Sequence, residues 1–141
     1  MESITQVNQL SFHQNLGNDQ AFIIKLAGNK LDNAVGSDLF GKVETWIMAN
    51  SMMSSKEIPT LIVDMENVEF IDSQGLQKLL STLHLIQSQQ SNLLLCSLQA
   101  SVRLVFEISR MDQVFGIFPS FDNCVNHIDF PHRASNYPLA A

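Results

Sequence analysis

Two short apolar-rich runs open the chain, at residues 8–16 and 20–28, and Gly17, Asn18 and Asp19 separate them. Glycine and asparagine tolerate the positive φ angles that tight turns between antiparallel strands require. The pattern predicts a β-hairpin at the start of the chain.

The clearest helical pattern follows in the middle of the chain, where apolar residues recur at spacings of three and four. Its apolar positions are Leu76, Leu79, Leu80, Leu83 and Ile86. Mostly polar residues occupy the positions between them, so we predict an amphipathic helix. A weaker pattern at 33–51, interrupted by Gly36 and Gly41, predicts an earlier helix.

Short apolar runs alternate with these helices. Strands are predicted at 60–65, 68–71, 92–98 and 113–118, further helices at 100–111 and 121–130, and a polar loop at 51–59. Such alternation implies right-handed β-α-β crossovers. We therefore predict an α/β fold: one domain over 1–130, with a mostly parallel central sheet, an N-terminal antiparallel edge hairpin and helices packed on the sheet. We expect residues 131–141 to form a flexible tail.

The composition is that of an ordinary globular protein, with 45% hydrophobic and 16% charged residues in a chain of 141. The formal net charge is -6 and the basic residues are scattered, so we expect no nucleic-acid partner. Apolar runs long enough for a membrane span or a signal peptide are absent from the sequence, and we expect no membrane insertion. Cys96 lies in an apolar run, which is typical of a reduced buried thiol and favours a cytoplasmic location.

The sequence shows few signs of catalysis. Its His and Cys residues form no HExxH or CxxC pattern, and it contains neither a Walker A nor a GxGxxG loop. Ile71, instead of glycine, stands two residues before Ser73, which argues against a hydrolase nucleophile elbow. We expect no metal site, no cofactor and no enzymatic activity; an α/β enzyme with Ser73 as its nucleophile is a minor alternative.

Asp72 and Ser73 lie where an apolar run meets the amphipathic helix. Both are frequent N-cap residues, so the simplest interpretation is a helix cap. Gly75 is a poor helix former and suits a position where another surface approaches the backbone closely. A hydroxyl here could also accept a phosphoryl group, because free N–H groups and the helix dipole stabilise the added charge.

The stretch LIVDMENVEFIDSQGLQKLL, residues 61–80, resembles the central motif of STAS domains, in particular that of bacterial anti-sigma factor antagonists. Asp72, Ser73, Gly75 and Leu76 match the Asp-Ser-x-Gly-Leu turn of that family. LAGNKLDNA is similar to the family's L-x-G-x-L-D stretch, and SVRLVFEISRMDQVFGIF to its third-helix segment. The resemblance covers most of the chain.

The resemblance implies a protein-binding module that is switched by phosphorylation. In the family, the serine after the motif Asp is phosphorylated by an ATPase-type kinase that is also the anti-sigma factor, and a PP2C-type phosphatase reverses this. That serine is Ser73 here, so the implied function is an anti-sigma factor antagonist that binds its kinase when Ser73 is unphosphorylated. The alternative is an adaptor of a transporter or signalling scaffold that is never phosphorylated.

The resemblance also places Asp32 close to Ser73, where it would hydrogen-bond the hydroxyl or oppose the phosphate. A plain helix cap is the alternative role for Asp32. The other candidate residues for the switch and partner surface are Asp72, Gln74, Gly75, Gln77 and Ser81.

Four features depart from the family pattern. Asn29 and Lys30 stand between Gly28 and Leu31, where the family usually has one residue. Gln74 stands where Ser or Thr is frequent, Arg110 stands where glycine is common, and the loop at 51–59 is longer than usual. These departures bear on which partner the chain binds, and they leave the fold prediction unchanged.

Overall fold

A computed structural model describes residues 10–14, 21–53 and 58–128. The strands, in chain order, are β1 (Leu10–Gln14), β2 (Ala21–Leu26), β3 (Lys30–Leu31), β4 (Thr60–Asp64), β5 (Phe70–Ile71), β6 (Leu93–Cys96) and β7 (Gly116–Phe118). The helices are α1 (Asn33–Met53), α2 (Ser73–Ser88), α3 (Ala100–Ile108) and α4 (Phe121–Ile128), with a 3-10 turn at Met111–Gln113. Among these helices, none is long and apolar enough to cross a membrane.

Five of the strands form a central sheet in the order β1-β2-β4-β6-β7. β1 is antiparallel to β2, with Phe12 opposite Ile24, and the other neighbours are parallel. The predicted α/β fold, with its antiparallel edge and mostly parallel sheet, is confirmed. The predicted turn at 17–19 and the predicted tail at 131–141 lie outside the described residues.

The central strands are buried on both faces, as their continuous apolar runs predict. Alternate side chains enter two separate cores because successive residues of a strand point to opposite faces. Helices α1, α2 and α3 cover the larger core, which contains Val63, Leu83 and Phe106. Helix α4 covers the smaller core, which contains Ile62 and Cys124.

A second, two-stranded parallel sheet joins β3 to β5, with Leu31 opposite Ile71. The sequence did not predict β3. The buried strand expected at 68–71 is only two residues long, and Phe70 in it is 52% exposed. It pairs with β3 outside the central sheet, so the predicted strand exists but is shorter and only partly buried.

Several element boundaries also differ from the predictions. Helix α1 continues to Met53, so the loop predicted to begin at residue 51 does not begin there. The helix can extend this far because methionine is a good helix former and the next proline in the sequence is Pro59. The strand expected at 113–118 begins only at Gly116, because Phe115 ends a turn and packs edge-on against the ring of Phe106, with centroids 5.6 Å apart.

Candidate functional site

Asp72 is the N-cap of α2. Its backbone is extended, with φ -104° and ψ 178°, and its side-chain oxygen accepts a hydrogen bond from the Gly75 amide at 2.8 Å. Its carbonyl accepts the first helical bond, from the Leu76 amide, at 2.9 Å. The predicted cap is therefore Asp72, and Ser73 is the first residue of the helix.

Asp32 makes the same arrangement at the start of α1. Its Oδ1 accepts from the Val35 amide at 3.0 Å, and its carbonyl accepts from the Gly36 amide at 2.8 Å. The hydrogen bond from Val35 lowers the pKa of Asp32, and the charge of Lys30, whose Nζ lies 3.6 Å from Oδ2, lowers it further. Asp32 is therefore an ionised cap at neutral pH, and its predicted action on Ser73 stays a prediction.

The two capped helix starts are neighbours because β3 and β5 are paired in parallel. Leu31 is opposite Ile71 in that register, so the next residues along, Asp32 and Asp72, follow side by side. The Asp72 amide also donates to the Leu31 carbonyl at 3.3 Å. The structure thus joins two strand–aspartate–helix units into one edge that carries Ser73.

Gly75 makes this close approach of the two units possible. A Cβ atom on Gly75 would lie 2.0 Å from the Leu31 carbonyl oxygen and 3.1 Å from the Asp32 nitrogen. Real Cβ contacts are essentially never shorter than 3.0 Å. The surface expected to approach Gly75 is therefore the chain's own β3 segment, and the buried Gly75 lets Asp32 lie near the start of α2.

The other predicted residues lie on the exposed side of α2. Ser73 and Gln74 are exposed in its first turn, and Gln77, Ser81 and His84 follow at helical spacing and are also exposed. The Ser73 hydroxyl has no hydrogen-bond partner among the described residues. The hydroxyl and a small, neutral polar helix face are therefore open to a partner.

Two residues at this edge were missed by the sequence reasoning. Lys30 supplies the cation beside Asp32, and Phe70 presents an exposed aromatic ring two residues before Asp72. A signal for them exists in the parallel between KLDN (30–33) and FIDS (70–73), each a strand pair followed by Asp and a small polar residue. Lining up these two segments would have predicted β3 and its Lys30.

Metal coordination finds no support in the described part of the chain. No group of three or more His, Cys, Asp or Glu side chains there could hold a metal ion. Cys96 and Cys124 are free, buried thiols. The chemistry at this edge is therefore that of two carboxylates, one lysine and one free serine hydroxyl.

A family model described as the STAS domain matches residues 14–124. Comparison with curated protein sequences gives no significant match. Among solved structures, the fold is similar to Bacillus SpoIIAA in its phosphorylated form, with a TM-score of 0.59, 18% identity, and coverage of 84% of this chain and 99% of that one.

Other solved structures show the same fold at similar sequence distance. An anti-sigma factor antagonist from Mycobacterium paratuberculosis has a TM-score of 0.66 and 16% identity, over 86% of this chain and 96% of that chain. A sulfate transporter family protein from Wolinella succinogenes has a TM-score of 0.67 and 17% identity, over 82% and 90%. At these identities the similarity establishes the fold.

Proposed function

The chain belongs to the STAS domain family, and we propose that it is an anti-sigma factor antagonist, a module that binds a kinase-type anti-sigma factor while Ser73 is unphosphorylated. In this proposal the partner is an ATPase-type serine kinase that phosphorylates Ser73, and a PP2C-type phosphatase removes the phosphate. The chain is a ligand and a substrate in this cycle and catalyses no reaction. We propose a cytoplasmic location for it.

The observation that carries the proposal is the placement of Ser73. Its hydroxyl is exposed at the first position of α2, directly after the cap Asp72 and beside the capped start of α1. The similar fold of SpoIIAA in its phosphorylated form and of another anti-sigma factor antagonist is consistent with this assignment.

The added phosphate should affect the stability of the free protein little and the affinity of a complex strongly. In the free domain, the helix N-terminus offsets part of the added charge by about 0.3–1 kcal/mol at an exposed position, so the fold should hold. In a complex, the phosphate must lose its water against a surface shaped for a hydroxyl, beside the carboxylates of Asp32 and Asp72. Burying such a charge unpaired costs several kcal/mol, which lowers the affinity by about a hundredfold or more.

The test compares three forms of the protein for binding to the co-purified kinase: unmodified, phosphorylated at Ser73, and Ser73→Ala. We expect the Ala variant to bind constitutively and the phosphorylated form to bind about a hundredfold more weakly. Ser88→Ala is the matched control, because Ser88 is an exposed serine at the opposite end of the same helix. It should be labelled and bound like wild type.

Labelling with ATP and mass spectrometry identifies the modified serine, and circular dichroism checks that every form is folded. If no kinase labels Ser73, or if phosphorylated and unmodified protein bind equally well, the switch is refuted. The alternative is then an adaptor that docks through its helices, a use that the similar fold of a sulfate transporter family protein supports.

A further inference from the structure

A concave site lies at the carboxyl ends of β4, β6 and β7, and Ser73 is not among the residues that line it. It is a cleft of about 480 Å³ between the loops that follow β6 and β7. The helix after β6, α3, covers one face of the sheet, and the helix after β7, α4, covers the other. In open α/β sheets, ligands bind in the crevice that opens where successive connections leave to opposite faces.

A buried carboxylate points into this cleft. Asp64, the last residue of β4, lines the cleft and is only 9% exposed. One of its oxygens accepts from the Glu66 amide at 3.0 Å, and the other receives no hydrogen bond from any described residue. That oxygen is open to the cleft and is not sealed from water, so it is available for a donor that enters the cleft.

The cation nearest to Asp64 is already engaged. Lys25 on β2 is opposite Asp64 in the sheet register, but its Nζ pairs with Glu66 Oε1 at 2.9 Å. That bond raises the pKa of Lys25, which keeps the lysine charged and paired with Glu66. Asp64 therefore makes no salt bridge among the described residues, although the charge of Lys25 still attracts it.

The lining of the cleft selects for a positive ligand. Its charged residues are Asp64, Glu66 and Asp122, its apolar wall is Leu98, Pro119 and Phe121, and no Lys, Arg or His lines it. The starts of α3 and α4 and the nearby Lys25 offset part of this charge, since a helix N-terminus carries roughly half a positive charge. Together these groups leave the cleft with a net charge of about -1.

The walls of the cleft are held in place by cross-links between loops. The Gln99 side chain donates to the Glu66 carbonyl at 2.8 Å, and the Ser97 amide donates to the Phe118 carbonyl at 3.2 Å. Ser97 itself has a left-handed φ of 63°. A site whose walls are fixed before binding loses little entropy when a ligand enters.

We propose that this cleft binds a guanidinium or primary ammonium group carried on a short apolar stem. The cationic head donates to the free oxygen of Asp64 in a charge-assisted hydrogen bond, and the stem lies against Leu98, Pro119 and Phe121. The head can belong to a free amine or to an arginine side chain of a partner protein. This site does not depend on phosphorylation of Ser73, so it stands whether or not the proposed switch is correct.

The test titrates agmatine into nitrogen-15-labelled protein at a salt concentration of about 0.15 M, where non-specific surface attraction is screened. We expect saturable amide shifts at Glu66, Ser97 and Gln99. Asp64→Asn keeps an oxygen that can accept from the Glu66 amide but removes the charge, and it should weaken binding by about tenfold or more. Glu44→Gln, which removes a charge from an exposed position on α1, should bind like wild type.

Two further arms separate the alternatives. A neutral amide with the same stem should bind about tenfold more weakly than agmatine, and N-acetylarginine amide tests the protein-borne source of the guanidinium. Tighter binding of the arginine derivative assigns the cleft to a partner's side chain, and tighter binding of agmatine assigns it to free amines.

If Asp64→Asn does not fold, Asp122→Asn takes its place and should weaken binding severalfold. The proposal fails if neither cation gives saturable shifts at the cleft, or if the folded carboxylate variant binds as wild type does.

Discussion

Gly75→Ala is the substitution for which the structure makes the sharpest prediction. The new Cβ would lie 2.0 Å from the Leu31 carbonyl oxygen and 2.6 Å from its carbon, so the start of α2 and the β3 segment must move apart. The clashing atoms belong to the backbone of Leu31, which is part of a paired strand, so no flexible side chain can move aside. Overpacking of this kind costs about 1–3 kcal/mol.

Separating the two segments also breaks the hydrogen bond from the Asp72 amide to the Leu31 carbonyl, which contributes about 0.5–1.5 kcal/mol. Replacing glycine by alanine in a helix returns about 0.5–1 kcal/mol. The net expectation is a loss of about 2 kcal/mol in the free energy of unfolding.

The assay is urea unfolding followed by circular dichroism, with Gly41→Ala as the control. A Cβ on Gly41, inside α1, would meet nothing within 4 Å, so that variant should gain about 0.5–1 kcal/mol. The two variants make the same chemical change in a helix and differ in the space available. If Gly75→Ala is as stable as wild type while Gly41→Ala behaves as expected, the close approach of β3 to α2 is refuted.

Three further predictions concern single side chains. Asp32→Asn keeps a good N-cap, so melting should shift little, but the rate of Ser73 phosphorylation by the partner kinase should change; an unchanged rate and partner affinity would leave Asp32 as a cap alone. Ser81→Glu should weaken partner binding while stability stays within about 0.5 kcal/mol, and equally tight binding would move the interface to another surface. Burial lowers the pKa of His127 from 6.5, so its neutral form stabilises the fold above that pH and the contribution is lost as the pH falls through the folded pKa. The free energy of unfolding, measured as the pH is lowered from above 6.5, should therefore fall, and it should fall less in His127→Gln. An identical pH dependence in the two proteins would contradict this role.

The long elements could be predicted from the sequence because their periodicity is set by burial. In α2, the apolar stripe and the buried face agree at Leu79, Leu83 and Ile86. β3 could not be found in this way, because a two-residue strand has no periodicity. It forms because β5 supplies its hydrogen-bond partners across about forty residues of chain, a tertiary effect that local patterns do not encode.

Only those parts of the site that depend on local sequence could be predicted. Asp72 was recognisable as a cap, since caps are local features, and the structure confirms it. The neighbour of Gly75 was not recognisable, because that contact comes from β3. Arg110 occupies a position where the family commonly has glycine, and it adopts a left-handed φ of 67°, so the backbone shape that glycine favours is kept here by an arginine.

The architecture explains why three aspartates of this protein, Asp32, Asp72 and Asp122, lie at the starts of helices. Because the strands that precede the helices are parallel, each helix begins at the carboxyl edge, and the positive ends of the helix dipoles collect there. Asp32, Asp72 and Asp122 lie in the first turns or caps of α1, α2 and α4 and balance those dipoles. In the proposed switch, a phosphate on Ser73 would be added to an edge whose helix dipoles are already matched by aspartates, so most of its charge would remain for a partner to meet. A switch at this position can change an interface strongly while it changes the fold little, which is what a reversible binding module requires.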